Sequence, residues 1–141
     1  MNKCIYFHFS YLLILRYHPE NVEKFLFSLQ NTNSAIKGVI LLSVEGLPIA
    51  STLPRGINKS QLSALSATIL AVGKRGNNEM DNGEFNYLHI KGSKGGVLVF
   101  QLSKFEVVVI LTTENVKLET LLKSVNNFQY EGHMLFHLEH E

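Results

Sequence analysis

The sequence is poor in the residues that cross-link or stiffen secreted proteins. It has one cysteine, Cys4, three prolines and no tryptophan in 141 residues. A single cysteine excludes an internal disulfide, which fits a reducing compartment and predicts a cytoplasmic protein. The length suits one domain that buries its own hydrophobic core.

Charge is also scarce. Charged residues make up 18% of the chain against 45% hydrophobic residues, and the formal net charge is +1. Because the chain has no basic stripe for nucleic-acid phosphates, no nucleic-acid partner is expected. The low charge content leaves apolar surface that a protein partner could cover.

The first 18 residues form an apolar N-terminal extension of uncertain role. Its central run, residues 4–15 (CIYFHFSYLLIL), is too short to span a bilayer, and no small-residue cleavage site follows it. Apolar residues at alternate positions favour an extra strand, although a buried helix stays open. Because no lipidation signal is present either, membrane association is not expected.

Residues 19–128 are predicted to form one domain in which helices and strands alternate, followed by a tail, 129–141, without a predicted structure. Apolar spacing of three and four residues predicts helices over 19–30, 60–72 and 116–127. Strand patterns cover residues 38–44, 47–52, 85–91, 97–103 and 105–113. The sequence therefore predicts one mostly antiparallel, five-stranded sheet with helices on both faces.

The stretch GVILLSVEGLPIAST, residues 38–52, predicts a β-hairpin. Strand 38–44 has no polar face, so it should lie in the middle of the sheet beside the equally apolar strand 107–113. Glu45-Gly46 is a tight-turn signal. Pro48 has no N–H to donate, which places the returning strand at an edge.

The most informative helix is SQLSALSATILAVG, residues 60–73, which carries no charge. One side of this helix is expected to face the core and comprises Leu62, Leu65, Ile69 and Val72. The opposite side carries Ala64, Ala67 and Ala71. Small side chains there favour close approach of another helix. Burial within the same domain, or alanine chosen for helix propensity, is the alternative interpretation.

The strand FNYLHIK, residues 85–91, is the most polar strand and is expected at the other sheet edge, open to pairing with a second chain. A twofold partner could then pair edge to edge and helix to helix. The predicted dimer-interface residues are Ala64, Ala67, Ala71, Phe85 and Tyr87.

These segments together resemble the Roadblock family of dynein light chains and GTPase regulators. The resemblance covers about residues 20–127, and the hairpin 38–52 carries it best. It implies an α+β fold, the Roadblock/longin-like α-β-β-α-β-β-β-α sandwich, and dimers built through residues 59–73 and 85–91. It also implies a non-enzymatic scaffold or regulator that binds a small Ras-like GTPase and modulates its nucleotide cycle or location.

No catalytic, cofactor-binding or metal-binding residues are predicted. Gly73-Lys74-Arg75-Gly76 follows a helix and lacks the hydroxyl of a phosphate loop, and residues 92–96 join two strands. On a helix, His133, His137 and His140 would share a face that could hold zinc, but fraying of a chain end is the preferred interpretation.

Two alternatives to the GTPase regulator stay open. One is a small-molecule sensor domain with a profilin-like sheet, which predicts an apolar cavity with a few convergent polar groups. The other is a purely structural subunit of a hetero-complex, in which the alanine row faces a different chain.

Overall fold

A computed structural model describes the backbone of residues 19–137 and the side chains of residues 22–128. Within these limits the chain forms three helices and one sheet, in the predicted order. The helices are α1 (Pro19–Asn31), α2 (Lys59–Glu79) and α3 (Leu118–His137). The strands are β1 (Ile36–Ser43), β2 (Pro48–Ser51), β3 (Leu88–Lys91), β4 (Gly95–Gln101) and β5 (Glu106–Thr113). The predictions for residues 1–18 fall outside the described residues.

The sheet is antiparallel, with the strand order β2-β1-β5-β4-β3. The two strands without a polar face, β1 and β5, are neighbours, as predicted, and Ile40 pairs with Val109 at the centre. The predicted edge strands β2 and β3 lie at the two edges. The α+β fold class inferred from sequence is therefore confirmed.

Helices cover both faces of the sheet and divide its side chains into two cores. The first core lies under α1 and α3 and includes Leu26, Val39, Phe100, Ile110 and Leu121. The second core lies under α2 and includes Ile40, Leu42, Leu70, Val99 and Val109. Alternate residues of β1, β4 and β5 enter opposite cores, because successive strand side chains point to opposite faces. No helix within residues 19–137 is long and apolar enough to cross a membrane.

The β1–β2 turn forms as the sequence predicts. Gly46 has φ +95°, a left-handed conformation that glycine adopts without strain. The N–H of Ser43 donates to the carbonyl of Leu47 at 2.8 Å, and the N–H of Gly46 donates to the carbonyl of Ser43 at 2.9 Å. Pro48 is exposed and begins β2, consistent with its predicted edge position.

Three predicted boundaries are wrong. Helix α2 does not stop near Gly73 but continues to Glu79, because one glycine costs a helix only about 1 kcal/mol and does not by itself end it. Strand β3 begins at Leu88 rather than Phe85, because Phe85 packs against the second core before the strand starts. Helix α3 runs to His137, ten residues beyond Asn127, so it takes in part of the predicted tail.

Candidate self-association surface

Helix α2 lies on the sheet through a row of small and apolar side chains. Asn58 caps its N-terminus, where Oδ1 accepts a hydrogen bond from the backbone N–H of Gln61 at 3.0 Å. The buried side chains of the helix are Ser63, Ser66 and Leu70. They recur at i, i+3 and i+7, the spacing of one helix face. Serine is small enough to let the helix backbone approach the sheet.

The alanine row of α2 lies partly against the protein's own hairpin. A Cβ built on Gly46 would lie 3.1 Å from Cα of Ala64 and 3.3 Å from Cβ of Ala67. Ala67 is half-buried against the second core, so its predicted position opposite the core is wrong. Ala64 is exposed beside the β1–β2 turn, and Ala71 is exposed on the side of α2 that faces away from the sheet.

The side of α2 that points away from the sheet is apolar and uncharged. Leu65 is 51% exposed and Val72 is 67% exposed, so the prediction that both face the core is wrong. Thr68 lies between them and is exposed, with its hydroxyl donating to the carbonyl of Ala64 at 2.8 Å. We call Leu65, Thr68 and Val72 the outward strip. Exposed leucine and valine on one uncharged helix face are typical of a surface that another chain covers.

Strand β3 lies next to this helix and leaves one of its sides open. Its described pairing is with β4 alone, so its other edge carries backbone N–H and C=O groups without a strand partner in the part of the chain that the structure describes. Tyr87, just before β3, is 38% exposed, and Ile90 within it is 44% exposed. Tyr87 and Ile90 therefore extend the exposed apolar surface of α2 toward the open sheet edge.

Gly73 is where α2 and the β3 segment meet. A Cβ on Gly73 would lie 3.5 Å from Leu88 Cδ1 and 3.8 Å from Phe85 Cε2. Phe85 and Leu88 are both half-buried on the second core, so the predicted interface residue Phe85 is largely used within its own protomer. The contact at Gly73 holds the open edge beside Val72, the last residue of the outward strip.

Charges are absent from the helix part of this surface, whereas Lys91 lies at the end of its strand part. Residues 60–73 contain no ionisable side chain, and the next residue, Lys74, donates from Nζ to Oε1 of Gln101 at 2.8 Å. Arg75 and Glu79 are exposed on the last turns of α2. An uncharged, apolar centre with charged residues at its border is the arrangement of a protein–protein contact with a polar rim.

The sequence pattern of α2 does not show which of its two uncharged faces meets the sheet. Ser63, Ser66 and Leu70 share one face, whereas Leu65 and Val72 lie on the face opposite to it. Because both faces are uncharged, apolar periodicity alone does not tell the core from a partner surface. In the structure, the face that carries Ser63, Ser66 and Leu70 is the one closest to the sheet.

The residues that the sequence analysis considered for phosphate or metal binding lie in several different elements. No group of three metal-binding side chains occurs among these described residues. Gly73 to Gly76 lie inside α2, and residues 92–96 form the β3–β4 connection, where the N–H of Gly92 donates to the carbonyl of Gly95 at 2.7 Å. His133 and His137 lie on the α3 backbone, but their side chains, and all of His140, are outside the description.

Comparison with known families agrees with this architecture. Residues 23–112, more than half of the chain, match the Roadblock/LC7 domain. The chain belongs to the Roadblock/LC7 domain family. The resemblance inferred from the hairpin and the uncharged helix is thereby confirmed. A comparison with curated protein sequences gives no match.

Solved structures of this family share the fold. MglB of Myxococcus xanthus superposes with a TM-score of 0.76 at 18% identity, covering 86% of this chain and 91% of MglB. A Roadblock/LC7 domain from Streptomyces avermitilis gives a TM-score of 0.71 at 13% identity, covering 77% of this chain and 92% of that domain. An MglB described with a tetrameric arrangement gives 0.71 at 15% identity, covering 82% of this chain and 88% of that protein. At such low identities the likeness concerns the fold.

Proposed function

We propose that this Roadblock/LC7 protein is a non-enzymatic regulator or scaffold that pairs with itself through α2 and β3. As a pair, it would bind a small Ras-like GTPase and modulate its nucleotide cycle or location. The observation that carries the self-association is the exposure of Leu65 and Val72 on an uncharged helix face. Leaving these side chains in water forgoes the free energy that a partner's surface would recover.

The geometry favours a twofold arrangement. Helix α2 and strand β3 are held together at Gly73, so one operation could bring two helices and two open edges into contact. The outward strip, Ala71, Tyr87 and Ile90 would form the centre of the contact. Ala64, Ala67 and Phe85, which the sequence also predicts at the interface, would lie at its border because they pack partly on their own protomer.

The GTPase part of the proposal is supported by the family relationship. The self-association part is supported by an MglB that is described with a tetrameric arrangement. A paired sheet with two helices on one face would give a broad, stiff platform. Its effect on a GTPase would come from ordering the switch loops, which are mobile elements whose conformation the nucleotide controls. No residue of this chain is assigned to the reaction chemistry.

Self-association is tested by the mass of the protein in solution. Analytical ultracentrifugation should give a dimer for the native chain and a folded monomer for Leu65→Glu/Val72→Glu, because a buried carboxylate without a partner is costly. Phe27→Glu is the matched control, since Phe27 is 45% exposed on α1 and lies outside the proposed contact. A native chain that stays monomeric at about 100 μM, far above the Kd of a stable dimer, contradicts self-pairing.

The GTPase part needs a separate experiment. Small Ras-like GTPases from the same cell are loaded with GDP or a non-hydrolysable GTP analogue, and binding, hydrolysis and nucleotide release are measured with and without the protein. We expect one GTPase to bind in one nucleotide state and to lose this binding with Leu65→Glu/Val72→Glu. Absence of binding to every GTPase in both states contradicts this part and leaves the dimer intact.

A further inference from the structure

A groove on the sheet face that carries α2 shares only Ile90 with the proposed pairing surface. Helix α2 covers the cross-strand row of Ile40, Val109 and Val99, which are at most 1% exposed. The next row toward the end of the sheet, formed by Leu111 and Val97, is only half-buried. The sheet therefore continues beyond the cover of the helix, and a groove of about 700 Å³ lies over this row.

The walls of the groove are also apolar. Leu53 closes it on the β1 side, where the leucine lies over the backbone of Gly38, so close that a Cβ there would be 2.2 Å from Leu53 Cδ2. Ile57 borders the groove from the loop before α2, and Ile90 borders it from β3. Ile57 and Ile90 are 39% and 44% exposed. The volume and lining fall within the range of clefts that hold small ligands.

The charged side chains that line the groove are both lysines. Lys37 places Nζ 3.2 Å from the Cβ position of Gly95, and Lys94 belongs to the adjoining β3–β4 turn. Both lysines therefore border the same end of the groove. No carboxylate and no aromatic side chain is among its described lining residues, and neither lysine makes an ion pair with a described residue. The groove is thus apolar along its row of strands and cationic at one end.

We infer that this groove binds a single-chain aliphatic carboxylate, with the carboxylate at Lys37 and Lys94 and the chain along Val97, Leu111 and Leu53. Charge-assisted hydrogen bonds from an ammonium suit a carboxylate head. The half-buried strand residues recover free energy when an alkyl chain displaces water from them. A nucleotide fits less well, because the described lining of the groove offers no ring on which a base could stack. The inference goes beyond the proposed function and does not depend on pairing.

The test uses decanoate, below its critical micelle concentration, and isothermal titration calorimetry on the full chain. We expect saturable binding with one site per chain. Lys37→Gln/Lys94→Gln should weaken it about tenfold or more, because charge-assisted hydrogen bonds are lost. Both lysines are exposed, so the variant keeps the fold. Lys104→Gln/Lys123→Gln removes the same charge from exposed positions outside the groove and should leave the affinity unchanged.

A second variant tests the apolar part of the groove. Ile57→Glu puts a negative charge beside the carboxylate ligand and should abolish decanoate binding. Decanol, which lacks the negative charge, should bind the native chain more weakly than decanoate does. The inference is overturned if binding does not saturate or if both double-lysine variants weaken it equally. It is also overturned if the groove takes only an acidic, leucine-rich peptide. Binding that appears only in Leu65→Glu/Val72→Glu would assign the groove to a second copy of the chain instead.

Discussion

The rings of Phe25 and Phe128 stack with their centroids 4.3 Å apart and an interplanar angle of 22°. Phe100 from the sheet meets Phe128 edge to face, with centroids 6.5 Å apart. This aromatic cluster joins α1, α3 and β4 in the first core. Because Phe128 is 3% exposed, its removal leaves a cavity that the neighbouring rings do not fill.

Phe128→Ala should therefore lower the free energy of unfolding by about 3–5 kcal/mol, the usual cost of truncating a buried phenylalanine. Urea denaturation followed by circular dichroism measures the loss. Phe27→Ala on α1 is the control, since Phe27 is 45% exposed and should cost well under half as much. Equal losses in the two variants would show that the cluster does not join the helices as described.

Gly46→Ala should destabilise the protein more than Gly56→Ala. Both glycines have left-handed backbones, with φ +95° and +100°, so alanine strains each of them by about 1–2 kcal/mol. A Cβ on Gly46 also presses on Cα of Ala64 at 3.1 Å, whereas nothing lies within 4 Å of one on Gly56. The difference between the two urea midpoints isolates the contact between the turn and α2, and no difference would contradict it.

Gly73→Ala and Gly76→Ala should each stabilise the protein by about 0.5–1 kcal/mol, because glycine is unfavourable inside a helix. Both residues lie within α2, which the sequence predicts to end near Gly73. A Cβ on Gly73 makes ordinary contacts at 3.5 Å or more, and one on Gly76 meets open space. Thermal unfolding measures the gain. A loss in either variant would mean that α2 ends before that glycine.

The melting temperature of the native chain should rise with protein concentration, because association stabilises the folded state by mass action. Leu65→Glu/Val72→Glu should remove this dependence. Since both side chains are exposed, the variant monomer should keep its stability within about 0.5 kcal/mol per substitution. Phe27→Glu should retain the dependence. A melting temperature of the native chain that does not change with protein concentration would contradict self-association but not the fold.

The sequence predicts the sheet better than the rotation of α2 upon it. Strands β1 and β5 have no polar face, and only the middle of a covered sheet accommodates such strands, so the strand order follows. Pro48 likewise places its strand at an edge. Helix α2 offers no such asymmetry, because uncharged side chains, leucine among them, occur on both its buried and its exposed sides. The contact that orients it, between Gly46 and Ala67, is tertiary and leaves no periodic signal.

The end of α2 illustrates a second limit. Gly73 and Gly76 disfavour a helix by propensity, yet α2 runs through both to Glu79, with Leu88 and Phe85 beside Gly73. Local preference is a weak prior that packing overrides. The groove beside Lys37 could not be predicted from the sequence either, because it depends on how far α2 covers the row of Val97 and Leu111.

The two edges of the sheet are unequal, and in the proposed pairing this asymmetry would limit how many chains can join. Strand β2 begins with Pro48, which withholds a donor, and its pairing with β1 is irregular between Leu41 and Leu42. Strand β3 has neither feature. Two chains that paired through β3 would each use their open strand edge, and no open edge would remain for a third chain. A sheet that can pair only through β3 would therefore stop at two chains and would not elongate into a filament.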